Sequence, residues 1–573
     1  MSELTGYPSI DKPWLQFYTE DQINASLPEC SIYQYIWENN KDYLDNVALN
    51  YFDRKITYQE MFSGITAASK AYQALGISEG DIVSVITVTL PETIYTFYGL
   101  NRIGAISNMI DPRTSEEGIR SYVSEVNSKI VVVIDAAYER VKNAVKGTDV
   151  EKIIVLSPAD SLPFPKKQIY NLSKRKNRNL YDGAMSWDKF ISTGEMQVLR
   201  ESAYQKNRCC VIVHTGGTTG TPKGVMLSDD NLNAATSQAL CSPLPLKRQD
   251  VFLNIMPPFI AYGVVLGIHT ALCGGWKIID IPVFDEGKFA DLVAKYKPAG
   301  IMGVPTYFEK LMNHSKMENG KLDFLKVVLV GGDKLNPEFE IRINEWLKSH
   351  GAHIEISKGY SMTEASSTAT FSFANSNEIG SAGIPLSKTI VSAFNSAGEE
   401  VGFDEIGELR INSPTIMLGY YDNDSATKEI ILEKDGVKWV KTGDIGYISE
   451  SGNVYVQGRN KRMIIRYDGF KVFAPLVEEV IATVSGISDV CVVGKDDMNH
   501  EQGQVPVAFV VTSCESKEVR IRIITECKKK LPDYAQPAEI CFIDELPLTP
   551  IGKVDYRALE ERYINQDWQG KEI

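Results

Sequence analysis

Cysteine and histidine are scarce in this chain, and neither is arranged to hold a metal or a covalent framework. Nine cysteines are scattered from Cys30 to Cys541, with Cys209 and Cys210 adjacent and no CxxC pair, and the six histidines show no ligand spacing. Neither a disulfide scaffold nor a zinc site is expected, so the chain reads as a reduced, cytoplasmic protein. Positive charge is short as well. The 60 Lys and Arg are outnumbered by 74 Asp and Glu, a net charge of −14, so no nucleic-acid partner is expected. The opening residues MSELTGYPSIDKPW lack the basic start and apolar core of a signal peptide. No formal charge falls between Asp250 and Lys277, but Pro257, Pro258, Gly263, Gly267, Gly274 and Gly275 interrupt that stretch, and Asn254 and His269 are polar. It reads as a buried strand, loop and helix rather than a transmembrane segment.

What is present is ordinary globular material. Hydrophobic residues make up 43% and charged residues 23%, enough for a sizeable core. The length would fill about four average domains, although large α/β units run longer. Met61, Ile65, Ala68, Tyr72 and Leu75 recur at helical spacing, and Gly76 stops that helix. A strand over 82–88 follows, then a helix opened by Pro91, then strands over 130–134 and 153–156. The same grammar returns with strands over 301–304 and 327–330, separated by a helix over 307–312, the second strand ending in Gly331 and Gly332. Alternating strands and helices imply parallel sheets covered on both faces, with ligands collecting beyond the carboxyl ends of the strands. Past about Ile384 short strands dominate, including GELRINSP from Gly407 and GNVYVQG from Gly452. From Met463 to Leu559 helix and strand mix, with a helix over 477–484 and strands over 490–493 and 505–511. A basic run, Lys166, Lys167, Lys174, Arg175, Lys176 and Arg178, reads as a solvated loop, with a membrane-surface patch as the other reading.

The chain is organised around VIVHTGGTTGTPKGVMLS, from Val211 to Ser228. Apolar β-branched residues on each side of a glycine- and threonine-rich turn predict a strand, a flexible loop and a second strand. Gly216, Gly217 and Gly220 allow successive N–H groups to converge on one point, Thr215, Thr218 and Thr219 add hydroxyls, and Lys223 adds a mobile positive charge. Such a loop suits a polyphosphate. It is not a Walker A loop, which places lysine directly after its last glycine. A hairpin without a ligand is the bland alternative.

Six motifs then occur in order: HTGGTTGTPKG at His214, KGYSMTE at Lys358, GELRI at Gly407, VKTGDIG at Val440, GRNKRMI at Gly458 and LPLTPIGKVDYRAL at Leu546. Any one is weak. Together they resemble the AMP-forming acyl-adenylate enzymes, a superfamily of acyl-CoA synthetases, adenylation domains and luciferases, and most of all a free-standing acyl-CoA synthetase. The resemblance implies an α/β fold: a large N-terminal AMP-binding domain over 1–460 with doubly wound, mainly parallel sheets and a β-rich portion at 384–460, and a small mobile α+β domain over 461–573. It implies that a carboxylate attacks the α-phosphate of ATP, that pyrophosphate leaves, and that the acyl group passes to the thiol of CoA. Facing a tetra-anionic substrate, catalysis consists largely of neutralising charge and aligning an in-line displacement.

By the same resemblance, Thr215 to Lys223 hold the pyrophosphate, Tyr360 stacks on adenine, Thr363 contacts phosphate, and Glu364 carries Mg²⁺. Gly331 and Gly332 pack against adenine, Asp444 takes the ribose hydroxyls, and Arg459 contacts the nucleotide. Lys553 reaches the carboxylate during adenylation, so the expected catalytic set is Lys553, Thr215, Lys223 and Glu364. Lys461 falls at the interdomain hinge and Gly469 in the thiol-transfer loop. Taken alone, a lysine in Lys553's setting would be a surface residue. Ile260, Ala261, Tyr262, Gly303, Val304 and Thr306 are expected to line an apolar or aromatic acyl pocket. Many acyl-CoA synthetases carry His where Ile260 stands. Amino-acid-activating domains place Asp near there, and its absence argues against a substrate with a buried ammonium. The expected substrate is a fatty or aryl acid and the expected acceptor is CoA. A separate acyl or peptidyl carrier protein is the alternative acceptor, and a nucleotide-binding protein without turnover is the remaining reading.

Overall fold

The computed structural model describes residues 5–173, 183–215, 223–282, 284–318, 320–332, 335–434, 436–459, 462–466, 471–497, 503–514, 516–548 and 554–561. Two mainly parallel sheets form its larger part, each built as the sequence suggests. Ile130–Ile134 is a continuous apolar strand buried at every position, which only a sheet covered on both faces permits. Thr57 opens the helix Tyr58–Ala74 with a reciprocal capping box, its hydroxyl accepting from Glu60 N and its own N–H donating to the Glu60 carboxylate. Gly76, at φ 90°, turns the chain out of that helix, and Pro91 starts the next, Pro91–Arg102, where a missing N–H costs nothing.

One sheet runs from Gly419–Tyr420 at its edge through Gly224–Ser228, Cys209–His214, Ile106–Ile110, Ile82–Ile86, Ile130–Ile134 and Lys152–Leu156 to Met185–Ser186. The other has nine strands, from Ile384–Pro385 through Thr370–Phe371, Ser357–Tyr360, Val327–Val330, Gly300–Gly303, Val251–Asn254, Lys277–Asp280 and Val47–Tyr51 to Arg54–Thr57. In the nine-stranded sheet the chain leaves Val251–Asn254 for Lys277–Asp280 on one side and then returns to Gly300–Gly303 on the other. The order therefore reverses at Val251–Asn254, and a crevice opens at the carboxyl ends of these strands.

Two expectations are refined. After Val251–Asn254 the uncharged stretch continues as a wide helix with i→i+5 hydrogen bonding, Tyr262–Thr270, and ends in Ala271–Cys273. Glycines make this close packing possible: a Cβ on Gly263 would fall 1.8 Å from the Pro257 carbonyl oxygen, and one on Gly267 would fall 2.7 Å from Asn254 Oδ1. The basic run is not wholly a loop. Lys166–Ser173 is a helix, held to the body by the Tyr170 hydroxyl donating to Asp135 at 2.8 Å, while Lys174 to Arg178 lie outside the described residues.

Further along, Ile390–Phe394, Gly407–Asn412, Ile431–Lys434, Val437–Ile448 and Val454–Arg459 form a five-stranded antiparallel sheet. A smaller α+β part follows, in which Ile487–Asp496, Gln504–Thr512 and Glu539–Ile543 make a sheet packed by the helices Ala474–Ala482 and Ser516–Lys530. It has its own core, including Val477, Ile481, Val510 and Ile523. This is an α/β fold with a parallel-sheet N-terminal domain and a small C-terminal domain. No helix among the described residues is long and apolar enough to cross a membrane.

Candidate active site

The neck of the glycine loop is closed by the sheet itself. Cys209–His214 and Gly224–Ser228 pair antiparallel with His214 opposite Gly224. One step further, Thr215 N donates to the Lys223 carbonyl and Lys223 N donates to the Thr215 hydroxyl, both at 3.0 Å. Gly216, Gly217, Thr218, Thr219 and Gly220 lie outside the described residues. The Lys223 ammonium sits 4.7 Å from the centroid of the Tyr420 ring, and the Tyr420 hydroxyl donates to Glu364 Oε1 at 2.7 Å. Burial, and then the Glu364 carboxylate, push the Tyr420 phenol well above its usual pKa, so it stays a donor. A chain of contacts thus ties the loop neck to the KGYSMTE motif. Tyr420 was not anticipated. Its strand is two residues long, and only its pairing with Val225, across the sheet, brings it here.

His214, at the end of its strand, is stacked on Tyr122 with ring centroids 4.0 Å apart and bonds through Nε2 to Asn108 at 2.8 Å. Burial lowers its pKa to about 4, so at neutral pH it supplies shape and hydrogen bonding rather than charge.

KGYSMTE is fixed by a buried ion pair. Lys358 reaches Glu340 Oε1 at 2.6 Å, and the other Glu340 oxygen accepts from Gly380 N at 2.9 Å. This anchors Ser357–Tyr360 to the helix Pro337–Ser349 and sets Tyr360 at the strand end and Thr363 and Glu364 in the next turn.

Register then assembles a polar triad. In the antiparallel pairing of Val437–Ile448 with Val454–Arg459, Asp444 lies directly opposite Arg459, so these two side chains, one from TGDIG and one from GRNKR, emerge on one face. Arg459 Nε meets Asp444 Oδ1 at 2.9 Å, and the Tyr360 hydroxyl donates to Oδ2 at 2.7 Å. Arg459 also donates to the Thr442 carbonyl at 3.1 Å. Burial, the largest single influence, opposes the guanidinium charge, but the Asp444 carboxylate together with Tyr360, Glu364 and Tyr556 outweighs it, and the Arg459 pKa is raised. Tyr360 is held far above its usual value, first by burial and then by Asp444.

Tyr360 also faces a cavity of about 60 Å³ shared with Tyr262, Gly331, Gly332, Leu329 and Phe371. A Cβ on Gly331 would stand 3.2 Å from the Gly359 carbonyl oxygen and 3.6 Å from the Tyr262 hydroxyl, and Gly332 holds φ 81°. Side chains here would close the space. The Tyr262 hydroxyl is buried and has no hydrogen-bond partner among the described residues.

The residues expected to line an acyl pocket are placed unevenly around this cavity. Tyr262 lines the cavity, and Val304 lies 3.5 Å from where a Gly332 Cβ would be. Gly303 is crowded by Phe308, Tyr307 and Ile255. Ala261 is packed into the core, and Ile260 is half-buried against it. Thr306, on the first turn of Pro305–Met312, is exposed. Leu266, Leu329 and Phe371 are cavity walls the sequence reading missed. Leu266 follows Tyr262 by one helical turn, a spacing that could have suggested it.

Lys461, Gly469 and Lys553 lie outside the described residues. Leu548 and Val554, either side of 549–553, pair antiparallel, and Arg462 lies 5.3 Å from the centroid of the Tyr556 ring. Tyr556 is close enough to Arg459 to add to the field on its guanidinium.

The same segments match known proteins. The profile of the AMP-binding enzyme family covers residues 36–421, and that of the AMP-binding enzyme C-terminal domain covers 476–553. The chain is 27% identical to the long-chain-fatty-acid–CoA ligase of Bacillus subtilis, over 96% of this chain and 98% of that protein. It is 30% identical to the probable 4-coumarate–CoA ligase 2 of Dictyostelium discoideum, over 95% and 97% respectively. In fold it is similar to the anthranilate CoA ligase AuaEII in complex with anthranoyl-AMP, with a TM-score of 0.80 at 19% identity, across 94% of this chain and 98% of that one. A single family profile spans well over half the sequence, from before the first sheet to just past Tyr420, and on that ground the chain belongs to the AMP-binding enzyme family.

Proposed function

We propose that the protein is an AMP-forming acid–CoA ligase acting on an apolar fatty or aryl carboxylic acid. The observation that carries this reading is the convergence of Tyr360, Asp444 and Arg459 beside the Gly331–Gly332 turn, with Glu364 linked through Tyr420 to the neck of the glycine loop. Relatives named as fatty-acid and coumarate CoA ligases support the substrate class and the acceptor.

In this reading the Tyr360 ring and the Gly331–Gly332 turn hold adenine. Asp444 accepts the ribose hydroxyls, exchanging one of its present partners, and Arg459 stays beside it. Thr215 to Lys223 and Thr363 hold the phosphates and stabilise the departing pyrophosphate. Glu364 fits a cation beside phosphate, being 8% exposed with one oxygen engaged by Tyr420. The described residues contain no cluster of three or more ligating side chains, so the remaining ligands would be phosphate oxygens and water, as Mg²⁺ prefers. Bound there, Mg²⁺ neutralises phosphate charge. Lys553 reaches the acid's carboxylate as a compact point charge. Tyr556, three residues on and near Arg459, supports that placement. The division at 460/461, with Lys461 as hinge and Gly469 in the thiol-transfer loop, completes the proposal.

The test is to incubate the protein with ATP, Mg²⁺ and a panel of aliphatic, aryl and amino acids, with and without CoA, and to read acyl-AMP and acyl-CoA by mass spectrometry. Acyl-CoA from aliphatic or aryl acids is the expected result. Acyl-AMP that ignores CoA would transfer the acceptor role to a carrier protein, and no adenylate from any acid would sink the ligase reading.

A further inference from the structure

The helix Lys166–Ser173 carries a surface that the ligase reading does not use. Residues 161–180 contain six Lys and Arg and no acid, in a chain whose net charge is −14. The described part of this segment displays large apolar side chains to solvent. Phe164 is 77% exposed and Ile169 64%. Ile169 lies three residues after Lys166, hence on the same helical face. Phe52, 41% exposed, joins them: its carbonyl accepts from the Lys166 ammonium at 3.1 Å, and its ring lies beneath that ammonium at 6.0 Å. The acid at this spot is neutralised. Asp53 is bracketed by Lys295 at 2.8 Å and Lys166 at 3.5 Å, and these partners hold its carboxyl below its usual range. Tyr170 fixes the helix from behind through Asp135.

Apolar prongs beside Lys166, in a segment whose sequence is basic and free of acids, suit one kind of partner. A soluble anion or a nucleic-acid backbone would use the charge but leave Phe52, Phe164 and Ile169 in water. A bilayer with anionic lipid satisfies both features, since apolar side chains enter the headgroup boundary while lysines face lipid phosphates. We propose that the face formed by Phe52, Phe164, Lys166 and Ile169 docks the protein peripherally onto anionic membranes. This docking is independent of the ligase reading. If both hold, the protein works where an apolar acid accumulates.

The test is co-sedimentation of the full chain with vesicles of phosphatidylcholine alone or with about one quarter phosphatidylglycerol, at about 0.1 M and about 0.5 M salt, which shortens the screening length to less than half. The expected result is binding to anionic vesicles only, weakened at least about tenfold by the salt and about tenfold by Phe164→Ser with Ile169→Ser. Both side chains face solvent, so the melting temperature of this variant should match that of the parent. Should it fail to fold, Lys166→Glu is read in the same way. Equal binding to neutral vesicles, no binding to either, or unchanged binding by a folded variant would overturn the proposal. So would salt-sensitive capture of inorganic polyphosphate without vesicle binding.

Discussion

The two sides of the crevice are built on opposite rules. On the proposed nucleotide side the charged groups of the strand motifs are paired: Asp444 with Arg459 and Tyr360, Glu364 with Tyr420, Lys358 with Glu340. On the proposed acyl side Tyr262, Leu266, Leu329 and Phe371 make a mainly apolar wall, and the buried Tyr262 hydroxyl has no partner among the described residues. A paired polar group demands a second residue at a definite register, whereas an apolar wall demands only volume. Mutations should therefore damage the first side sharply and the second mildly.

The largest effect should come from Lys553. Lys553→Ala is expected to lower acyl-AMP formation on the order of 100-fold, comparable to removing one preorganised donor to developing charge. Pyrophosphate exchange reads this directly. An unchanged rate would remove the lysine from the reaction and leave the paired side without its cation for the acid. Next, Asp444→Ala leaves the Arg459 guanidinium and Tyr360 hydroxyl without their shared acceptor. Charge-assisted bonds of this kind are worth roughly 1.5–3 kcal/mol. The KM for ATP should therefore rise about 10- to 100-fold while that for the acid stays put. An equal rise in both would show that the triad serves the whole crevice.

The contrast also explains what the sequence makes legible. Asp444 and Arg459 stand out as motif residues, and a two-strand register suffices to join them. The strand Ile130–Ile134 and the helix beginning at Thr57 are readable because apolar runs, caps and helix breakers act locally. Tyr420 is not, since its position depends on pairing with a strand almost 200 residues earlier in the chain. The acyl wall is harder still. Which of Ile260, Ala261 and Tyr262 faces the cavity depends on the wide turn of the helix from Tyr262, and that turn is set by Gly263 and Gly267 packing against Pro257 and Asn254. Periodicity assumes 3.6 residues per turn and misplaces faces where the backbone departs from it.

On the mild side, Tyr262→Phe removes a hydroxyl that bonds nothing described. Stability should hold or rise by up to about 1 kcal/mol, because an unsatisfied buried group is itself a cost. The KM for an apolar acid should change less than about threefold. Thermal melting and steady-state kinetics test both. A tenfold loss confined to hydroxylated aryl acids would show that the hydroxyl recognises the substrate, and the acyl side would then follow the paired rule after all.

The same rule reaches a place between the two sheets. Asp280, at the end of its strand, has neither carboxylate oxygen bonded among the described residues, and Glu92, at the start of Pro91–Arg102, has one oxygen bonded to Ser161 and one unbonded. Burial raises Glu92 to about 7, and burial together with Glu92 raises Asp280 to about 8. Both lie above the ordinary carboxyl range near 4, so the folded protein holds protons that the unfolded chain has released at neutral pH. Their contribution to stability is complete below about pH 4 and is lost as pH rises through about 7 and 8. Melting temperature should thus fall between pH 6 and about 9, and Asp280→Asn, which stays neutral, should flatten that fall. An unchanged slope would mean that these carboxyls find partners beyond the described residues, making this interface one more paired site.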